Sequence, residues 1–456
     1  MGLSKETKMG EAPIVRLMIT LSLPSIIAQV INILYNIVDR IFIGHIEGVG
    51  ATALTGVGLT FPILMLVTAF STFSSQGGAA LAAMELGKGD RKKAEKILGS
   101  CVWLLILFSI FLMAVFYVFH VPFLYIFGAS NETIPYASSY LNIYLAGTIF
   151  VEMALGLNSY IIVQGRSGIA MCSILVGALV NVILDPLFIF GFGLGVRGAA
   201  AATVISQFIS ALWNILFLCG KKSTLKIRKK YIRCDTKVVG RILALGISPF
   251  VMKSTECLIQ IVMNRQLQIF GGDLYVGTMT IMQSVMQLMY APITGFTQGV
   301  SPMISYNFGA QKFDRVKKTY RIMILTCLVF GFCSTATEVL FPKFYGGLFT
   351  SDTQLIALIG QVMPVFVCGM LVFGAQDGIQ STFLALGQAK ISLFVAMLRK
   401  VILLVPLALI LPHFFGIMGV YYAEPVSDIL SVSTAAVLFT ITVRRLLSKK
   451  MVDQLT

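Results

Sequence analysis

Charged residues are scarce in this chain, and their scarcity excludes most soluble folds. Asp, Glu, Lys and Arg make up 12% of the 456 residues, whereas hydrophobic residues make up 57%. With a mean hydropathy of +0.87, the chain is too apolar for a soluble protein of two or three domains. We therefore expect it to lie in a lipid bilayer.

The residue types that build metal centres and disulfide frameworks are few or scattered. His45, His120 and His413 are far apart in the sequence, and the eight cysteines show neither the paired spacing of a metal site nor a framework of extracellular pairs. We predict no His or Cys metal site and interpret the cysteines as small buried hydrophobic residues.

Motifs for catalysis, nucleotide binding and cleavage are also missing. The chain has no HExxH, GxSxG or paired-Asp pattern, which argues against an intramembrane enzyme. It has no GxxxxGK[ST] pattern for a nucleotide. The N-terminus shows no short apolar core with a cleavage site, so we expect the first apolar stretch to remain in the protein.

The sequence instead contains twelve apolar stretches, six in each half, and predicts an all-α membrane protein. Each stretch is long enough to cross a hydrocarbon core of about 30 Å, which takes roughly 20 helical residues. The predicted spans are 14–43, 52–82, 97–120, 136–163, 168–190, 197–219, 241–267, 275–304, 319–341, 355–385, 391–412 and 417–442.

Lys and Arg are concentrated in alternate loops. Most of them lie at the termini and after the even-numbered spans, as in the segments 88–96 and 312–321. This positive-inside bias predicts that both termini are cytoplasmic. The net charge of +15 is then a consequence of topology, and we expect membrane lipids but no nucleic acid among the partners.

The two halves of the chain repeat each other at a distance of 222 to 225 residues. The matching positions are Arg16, Pro24, Asp39 and Arg40 with Arg241, Pro249, Asn264 and Arg265, and Gln76, Gly77 and Gly87 with Gln298, Gly299 and Gly309. Because each half has an even number of spans, the repeat is parallel, with its axis along the membrane normal. Such a repeat is typical of transporters whose two bundles rock about a central site.

The most polar long segment sets the expected domain boundaries. We predict an N-lobe of helices 1 to 6 at 1–220, a cytoplasmic linker at 221–240, a C-lobe of helices 7 to 12 at 241–445 and a cytoplasmic tail at 446–456. The acid Asp39 has only an amide, Asn264, at its counterpart. The lobes are therefore expected to share a shape but not a task.

Four oxygen-bearing residues on three helices are predicted to lie at one depth in the outer half of the N-lobe. They are Asp39 on helix 1, Asn181 and Asp185 on helix 5, and Thr203 on helix 6. Their oxygens suit a hard cation such as Na⁺, and two close carboxylates equally suit a proton site. The alternative is that Asp39 pairs with Arg40, while Asp185 only marks a helix end before Pro186.

The C-lobe has candidate residues of its own. Glu256 on helix 7 and Asp377 on helix 10 are predicted near the middle of the membrane, and either could accept a cationic substrate or a second ion. Simple ion pairing is the competing interpretation, with Lys253, Arg399 and Lys400 as partners. On helix 8, Met286 and Tyr290 belong to a stripe that could line a hydrophobic cavity, although most such residues face lipid or a neighbouring helix.

Three segments resemble the MATE (multidrug and toxic compound extrusion) transporters. LPSIIAQVINILYNIVDRIFIG resembles the family's first helix, NVILDPLFIFGFGLGVRGAAAATVIS its helices 5 and 6, and LRKVILLVPLALILPHFFGIMGVYYAEPVSD its helices 11 and 12. The second segment is most similar to the DinF-like and related bacterial branches. The resemblance implies two six-helix bundles in a V with a central cleft, and alternating access.

The resemblance also implies roles for individual residues. Asp39, Asn181, Asp185 and Thr203 match the family's N-lobe cation site, and Pro24 resembles the proline at which helix 1 bends. Glu256 and Asp377 are similar to acids that another branch uses in its C-lobe. Glu424 stands where the family usually has Gln.

The expected function is an antiporter that exports organic cations and other toxic compounds against H⁺ or Na⁺. We expect a monomer without cofactor in a bacterial cytoplasmic membrane. The alternative is a flippase or exporter of lipid-linked precursors or polysaccharides, whose cavity would be rich in Arg and Lys to hold acidic cargo. Here the buried cations are few, chiefly Lys253, Arg265, Arg399 and Lys400, which favours cationic cargo.

Overall fold

A computed structural model describes residues 9–127, 129–348 and 353–446, and within these ranges its regular structure is helical. Twelve spans form two six-helix bundles, as predicted. They are α1 (Ile14–Gly44), α2 (Thr52–Gly87), α3 (Arg91–Ile126), α4 (Ile134–Ala146 with Thr148–Val163), α5 (Ser167–Gly191), α6 (Val196–Cys219), α7 (Thr236–Gly271), α8 (Asp273–Gly309), α9 (Phe313–Leu340), α10 (Thr353–Val367 with Met370–Ala385), α11 (Ala389–Phe415) and α12 (Ile417–Leu446).

Eleven of the twelve spans meet the criteria of length and apolar composition for crossing a membrane, nine as single helices and two as bent pairs. The twelfth, α8, is longer than the others but less apolar, because its sequence includes Gln283, Gln287 and Gln298. Residues of this kind are expected where a helix faces a polar cavity rather than lipid.

Bends in two spans were not predicted, although the repeat contains their signal. The two parts of α4 meet at 58° around Gly147, and the two parts of α10 meet at 47° before Met370. Gly147 and Gly369 are counterparts in the repeat, and glycine permits a break in the helix at low cost. Shorter irregularities are the π-helical turns Leu187–Gly191 in α5 and Leu398–Leu404 in α11.

Several spans begin or end a few residues beyond the apolar stretch that predicts them, because polar caps extend the helices into the headgroup region. The Asp90 carboxylate accepts a hydrogen bond from the Lys93 amide at the start of α3, and Asp235 accepts one from Val238 at the start of α7. The amide and ammonium groups of Lys93 lower the pKa of the Asp90 carboxyl below its ordinary value.

The parallel repeat is visible in the contacts between the lobes. A Cβ atom added to Gly87 would lie 2.0 Å from the Tyr306 carbonyl oxygen, and one added to Gly309 would lie 1.9 Å from the Met84 carbonyl oxygen. Met84 and Gly87 are the counterparts of Tyr306 and Gly309. Two glycines thus let α2 and α8 approach backbone to backbone in a symmetric pair of contacts.

We call the side of the molecule that carries the ends of α2, α4, α6, α8 and α10 the basic side. The N-terminal segment before α1 is held there against the C-lobe: the Arg315 side chain donates to the Ala12 carbonyl at 2.8 Å, and Lys312 donates to the Gly10 carbonyl at 3.0 Å. The lobes are therefore closed together on the basic side.

The segment between α6 and α7 packs against the N-lobe. Arg228 forms an ion pair of 2.5 Å with Glu95, and the Gln164 side-chain oxygen accepts from Ser223 at 2.9 Å. The boundaries 1–220, 221–240 and 241–445 stay predictions, and residues 447–456 of the predicted tail lie outside the described residues.

Candidate functional site

Helix α1 contacts both lobes. Around Ser22 and Ile26 it packs closely on Gly299 and Gly295 of α8 in the C-lobe. Further along, Tyr35 and Asp39 face α5 and α6 of its own lobe. The helix continues through Pro24, whose missing N–H weakens the hydrogen-bonded ladder within the stretch that contacts α8.

The structure brings the predicted N-lobe residues together. Asp39 and Asp185 are close neighbours, and the Asn181 amide donates to the Asp185 carboxylate at 3.2 Å. Asn181 and Asp185 share a helix face because they are four residues apart. Thr203 is 9% exposed on α6 and lies beside Tyr140, which is also near Asp39.

Three oxygens of this cluster are buried without a hydrogen-bond partner among the described residues: Oδ1 of Asp39, Oδ1 of Asn181 and Oδ2 of Asp185. Buried acceptors are normally satisfied, so oxygens that remain unpaired on neighbouring residues indicate room for a proton or a cation. Two adjacent carboxylates repel each other when both are ionised, and either ligand would relieve that repulsion.

Sequence reasoning missed two tyrosines and an amide in this site. The Tyr35 side chain lies near Gln207 and Asp39, and Tyr140 lies between Thr203 and Asp39 in the same cluster. Helical spacing contained a partial signal, since Tyr35 precedes Asp39 by four residues and Gln207 follows Thr203 by four. We call Asp39, Asn181, Asp185 and Thr203 the N-lobe oxygen cluster.

The alternative pairing of Asp39 with Arg40 is not formed in the described part of the chain. The Arg40 guanidinium lies over the Phe61 ring, 5.2 Å from its centroid. The described residues also contain no group of three or more His, Cys, Asp or Glu side chains that could hold a metal ion. Any ion in the N-lobe oxygen cluster would therefore be held by two carboxylates with an amide and a hydroxyl.

In the C-lobe, the buried cations pair in a different combination from the one the sequence suggested. Lys400 pairs with Glu256, and the Arg399 guanidinium donates to Asp428 at 2.7 Å and to Glu424 at 2.8 Å. Arg399 therefore has two carboxylates, Glu424 and Asp428. Charges inside the lobe that each have a partner of opposite sign have a structural explanation.

Asp377 is not paired with these cations in the described structure. One of its carboxylate oxygens accepts a hydrogen bond from Thr297 at 3.3 Å. It lines a central cavity of about 360 Å³ that lies between the lobes and is bounded by residues of α1, α2, α4, α7, α8, α10 and α11. Asp377 is thus placed to contact a molecule in the cavity.

The remaining predicted site residues lie elsewhere. Met286 and Tyr290 pack against the C-lobe core rather than the central cavity, with the Tyr290 ring 5.5 Å from that of Phe373. Glu256 is beside the cavity-lining Met252 and Lys253 on α7 but is not among the lining residues. Glu152 on α4 is fully buried, and both of its carboxylate oxygens lack a described partner.

Comparisons with known proteins agree with this architecture. The family model MatE matches residues 24–187 and 250–410. Multidrug export protein MepA of Staphylococcus haemolyticus is 27% identical over 419 residues, which is 92% of this chain and 91% of the relative. MepA of Staphylococcus aureus (strain NCTC 8325) is 25% identical over 92% of each chain.

Solved structures share the fold. One described as an outward-facing conformation of a multidrug resistance MATE family transporter superimposes with a TM-score of 0.91 at 20% identity, covering 98% of this chain and 100% of the other. A MATE crystal structure in a straight conformation gives 0.90 at 20% identity, covering 98% and 99%. Together with the family model, which matches most of the chain in two segments, these similarities show that the protein belongs to the MATE family of multidrug efflux transporters.

Proposed function

We propose that this chain is a cation-coupled antiporter that exports organic-cation drugs and toxic compounds by alternating access, with H⁺ or Na⁺ as the coupling ion and no cofactor. The observation that supports the coupling is the N-lobe oxygen cluster, with three buried oxygens left without a described partner. The cluster is separate from the central cavity, because none of its four residues is among the cavity lining. Ion and cargo therefore have different sites.

Helix α1 is the physical link between the ion site and the closure of the lobes. Asp39 lies fifteen residues after Pro24, about 22 Å along a helix axis. Ion binding at Asp39 acts on the part of α1 that faces α5, whereas the part from Ser22 to Gln29, which includes Pro24, contacts α8. A change in the angle at Pro24 would therefore alter the contact that closes the basic side.

Antiport requires only that ion and cargo prefer different conformations, with the difference in affinity setting the strength of coupling. In this scheme the ion stabilises one arrangement of α1, and an organic cation near Asp377 stabilises the other. Glu256, Met286 and Tyr290 remain candidates for contact with cargo or a second ion in a conformation other than the one described.

The flippase alternative receives less support from the cavity. Acidic sugars or a pyrophosphate would need several cations, and Lys253 is the one cation among the lining residues. Arg399 and Lys400 are held in ion pairs with carboxylates of their own lobe. The lining thus favours cargo with little or no net negative charge.

The deciding experiment compares Asp39→Asn with wild type in proteoliposomes under an imposed Na⁺ gradient and, separately, a proton gradient. We expect the variant to insert and to bind a fluorescent organic cation, but to lose gradient-driven efflux. Asn264→Ala is the matched control, because Asn264 is the counterpart of Asp39 in the repeat. Robust gradient-driven efflux by Asp39→Asn would contradict the proposal.

We also propose that the protein acts as a monomer in a bacterial cytoplasmic membrane, with the basic side and both termini in the cytoplasm. The support is the positive-inside distribution of Lys and Arg. Cys234 in the linker is exposed, so a membrane-impermeant maleimide should label it in inverted vesicles and not in right-side-out vesicles. Labelling of Cys234 in right-side-out vesicles would show that the protein has the opposite orientation.

A further inference from the structure

The central cavity is lined mainly by uncharged polar groups. Hydroxyl and amide side chains form more than half of its lining, and no aromatic residue is among them. Only two of the lining residues, Lys253 on α7 and Asp377 on α10, are charged. The wall therefore combines apolar surface with many uncharged polar groups, and it presents one charge of each sign.

Both charges are on the C-lobe wall. The counterpart of Lys253 in the repeat is Ala28 on α1, and the counterpart of Asp377 is Leu155 on α4, which lines the same cavity. Two neutral residues in one lobe thus correspond to two ionisable residues in the other. Both lobes have the same helical fold, but only the C-lobe has charged residues at these two positions. The fold therefore does not by itself require Lys253 and Asp377 to be charged.

Lys253 differs from the other cations inside the C-lobe because no described residue forms an ion pair or hydrogen bond with it. Arg399 and Lys400 are both paired with carboxylates. Glu256, the carboxylate nearest to Lys253 in the sequence, pairs with Lys400. The Lys253 side chain is exposed in this structure, so its ammonium group is accessible to a ligand in the cavity, and a carboxylate would supply the partner that the described residues do not.

Asp377 provides the complementary half. It accepts a hydrogen bond from Thr297 in the described residues, and this leaves a second carboxylate oxygen for a ligand. A cationic amine is the group that a carboxylate in a low-dielectric cavity binds best. The hydroxyls and amides of the same lining can hydrogen-bond a polar scaffold.

We propose that Lys253 and Asp377 together form a two-charge subsite that selects amphoteric cargo, meaning molecules with one cationic amine and one carboxylate. The amine binds at Asp377 and the carboxylate at Lys253. This inference rests on the proposed export function and narrows its substrate class. It makes Lys253 a specificity-determining residue for the carboxylate, while Asp377 serves cations and amphoteric molecules alike.

The test uses two dyes that differ only in a methyl ester. Rhodamine 123 is the methyl ester and is a cation, and rhodamine 110 is the free acid and carries an additional carboxylate. Binding of each dye to the purified full-length protein is measured by fluorescence anisotropy. We expect wild type to bind both dyes, and Lys253→Gln to bind rhodamine 110 about tenfold more weakly with little change for rhodamine 123.

Three further variants separate the subsite from general damage. Lys253→Arg retains the charge and should restore rhodamine 110 binding, and Asp377→Asn should weaken both dyes about tenfold. Lys92→Gln removes an exposed Lys on the basic side and should change neither. Equal loss of both dyes in Lys253→Gln, or no loss of rhodamine 110, would overturn the proposal, as would a wild type that rejects rhodamine 110.

The failure of this inference is distinguishable from the failure of the export function. Anisotropy measures binding without an ion gradient, so it does not depend on coupling. If wild-type protein in liposomes fails to move either dye under any gradient, the antiport function is wrong whatever the anisotropy result. If the wild-type protein transports rhodamine 123, but Lys253→Gln binds the two dyes with the same ratio of affinities as wild type, only the two-charge subsite is wrong.

Discussion

Gln29 of α1 donates a hydrogen bond of 2.8 Å to Gln298 of α8, and this bond joins the two lobes at the wall of the central cavity. The repeat places Ser254 and Gln76 at the symmetric positions, but the Ser254 hydroxyl is buried without a partner in the described structure. The polar connection is thus made once, on the helix that also carries Asp39. The hydrogen bond and the proposed ion site thus both involve α1 and not its counterpart α7.

Removing this bond should loosen the closed state on the basic side. A hydrogen bond contributes about 1 kcal/mol, so Gln298→Ala should raise the population that is open on the basic side about fivefold. Distances between spin labels on the basic ends of α2 and α8 would measure the change. Gln76→Ala is the control, and an equal shift in both variants would show that the bond has no special part in closure.

Larger side chains at Gly87 and Gly309 should prevent the lobes from closing on the basic side. Gly309→Val would place a Cβ 1.9 Å from the Met84 carbonyl oxygen, and Gly87→Val would place one 2.0 Å from the Tyr306 carbonyl oxygen. Backbone atoms cannot move aside, so we expect a protein open on the basic side, with efflux reduced at least about tenfold. Gly168→Val, where nothing lies within 4 Å, should retain efflux; wild-type distances in Gly309→Val would refute the contact.

The Arg399 network should dominate the stability of the C-lobe. Arg399→Gln leaves Glu424 and Asp428 buried together without a cation, which should cost about 3 to 5 kcal/mol. Equilibrium unfolding in detergent measures this loss, and Arg233→Gln on the exposed linker should show none. The triple variant Arg399→Gln, Glu424→Gln, Asp428→Asn should recover most of the stability, and no recovery would indicate that packing rather than charge is responsible.

Two amides, Asn181 in the N-lobe and Asn264 in the C-lobe, should differ in their effect on coupling. Asn181→Leu removes a donor to Asp185 and an oxygen from the N-lobe oxygen cluster, so about tenfold more coupling ion should be needed for half-maximal efflux. Asn264→Leu alters the C-lobe counterpart of Asp39 and should leave the ion requirement unchanged. Equal effects of the two substitutions would argue against an ion site confined to the N-lobe.

The N-lobe oxygen cluster could be predicted from the sequence because charges at membrane depth are rare and the direction of each helix follows from the basic loops. The predicted depth of each residue in the membrane was therefore enough to group Asp39 with Asp185. Tyr35 and Tyr140 could not be recognised in the same way. Tyrosine is frequent in apolar helices, and no pattern in a single helix shows which tyrosine faces an acid on another.

The position of the Lys253 ammonium in the central cavity could not be predicted, for a different reason. Lys253 is three residues from Glu256, and local spacing favours that pair. In the folded lobe Glu256 pairs with Lys400 from α11, a helix far away in sequence. The choice of partner depends on how α7 and α11 pack, and it decides whether the Lys253 ammonium faces a carboxylate or the cavity.

The contact of Gly87 with Tyr306 and of Gly309 with Met84 has the form of an isologous interface between identical subunits, in which each subunit offers its glycine to the other's carbonyl. In a homodimer every mutation at such an interface is made twice. In this fused chain each copy changes alone, so the symmetric frame can be retained while individual positions diverge. Asp39 and Asn264 are one such pair, and a true dimer could not have held an acid on one side and an amide on the other.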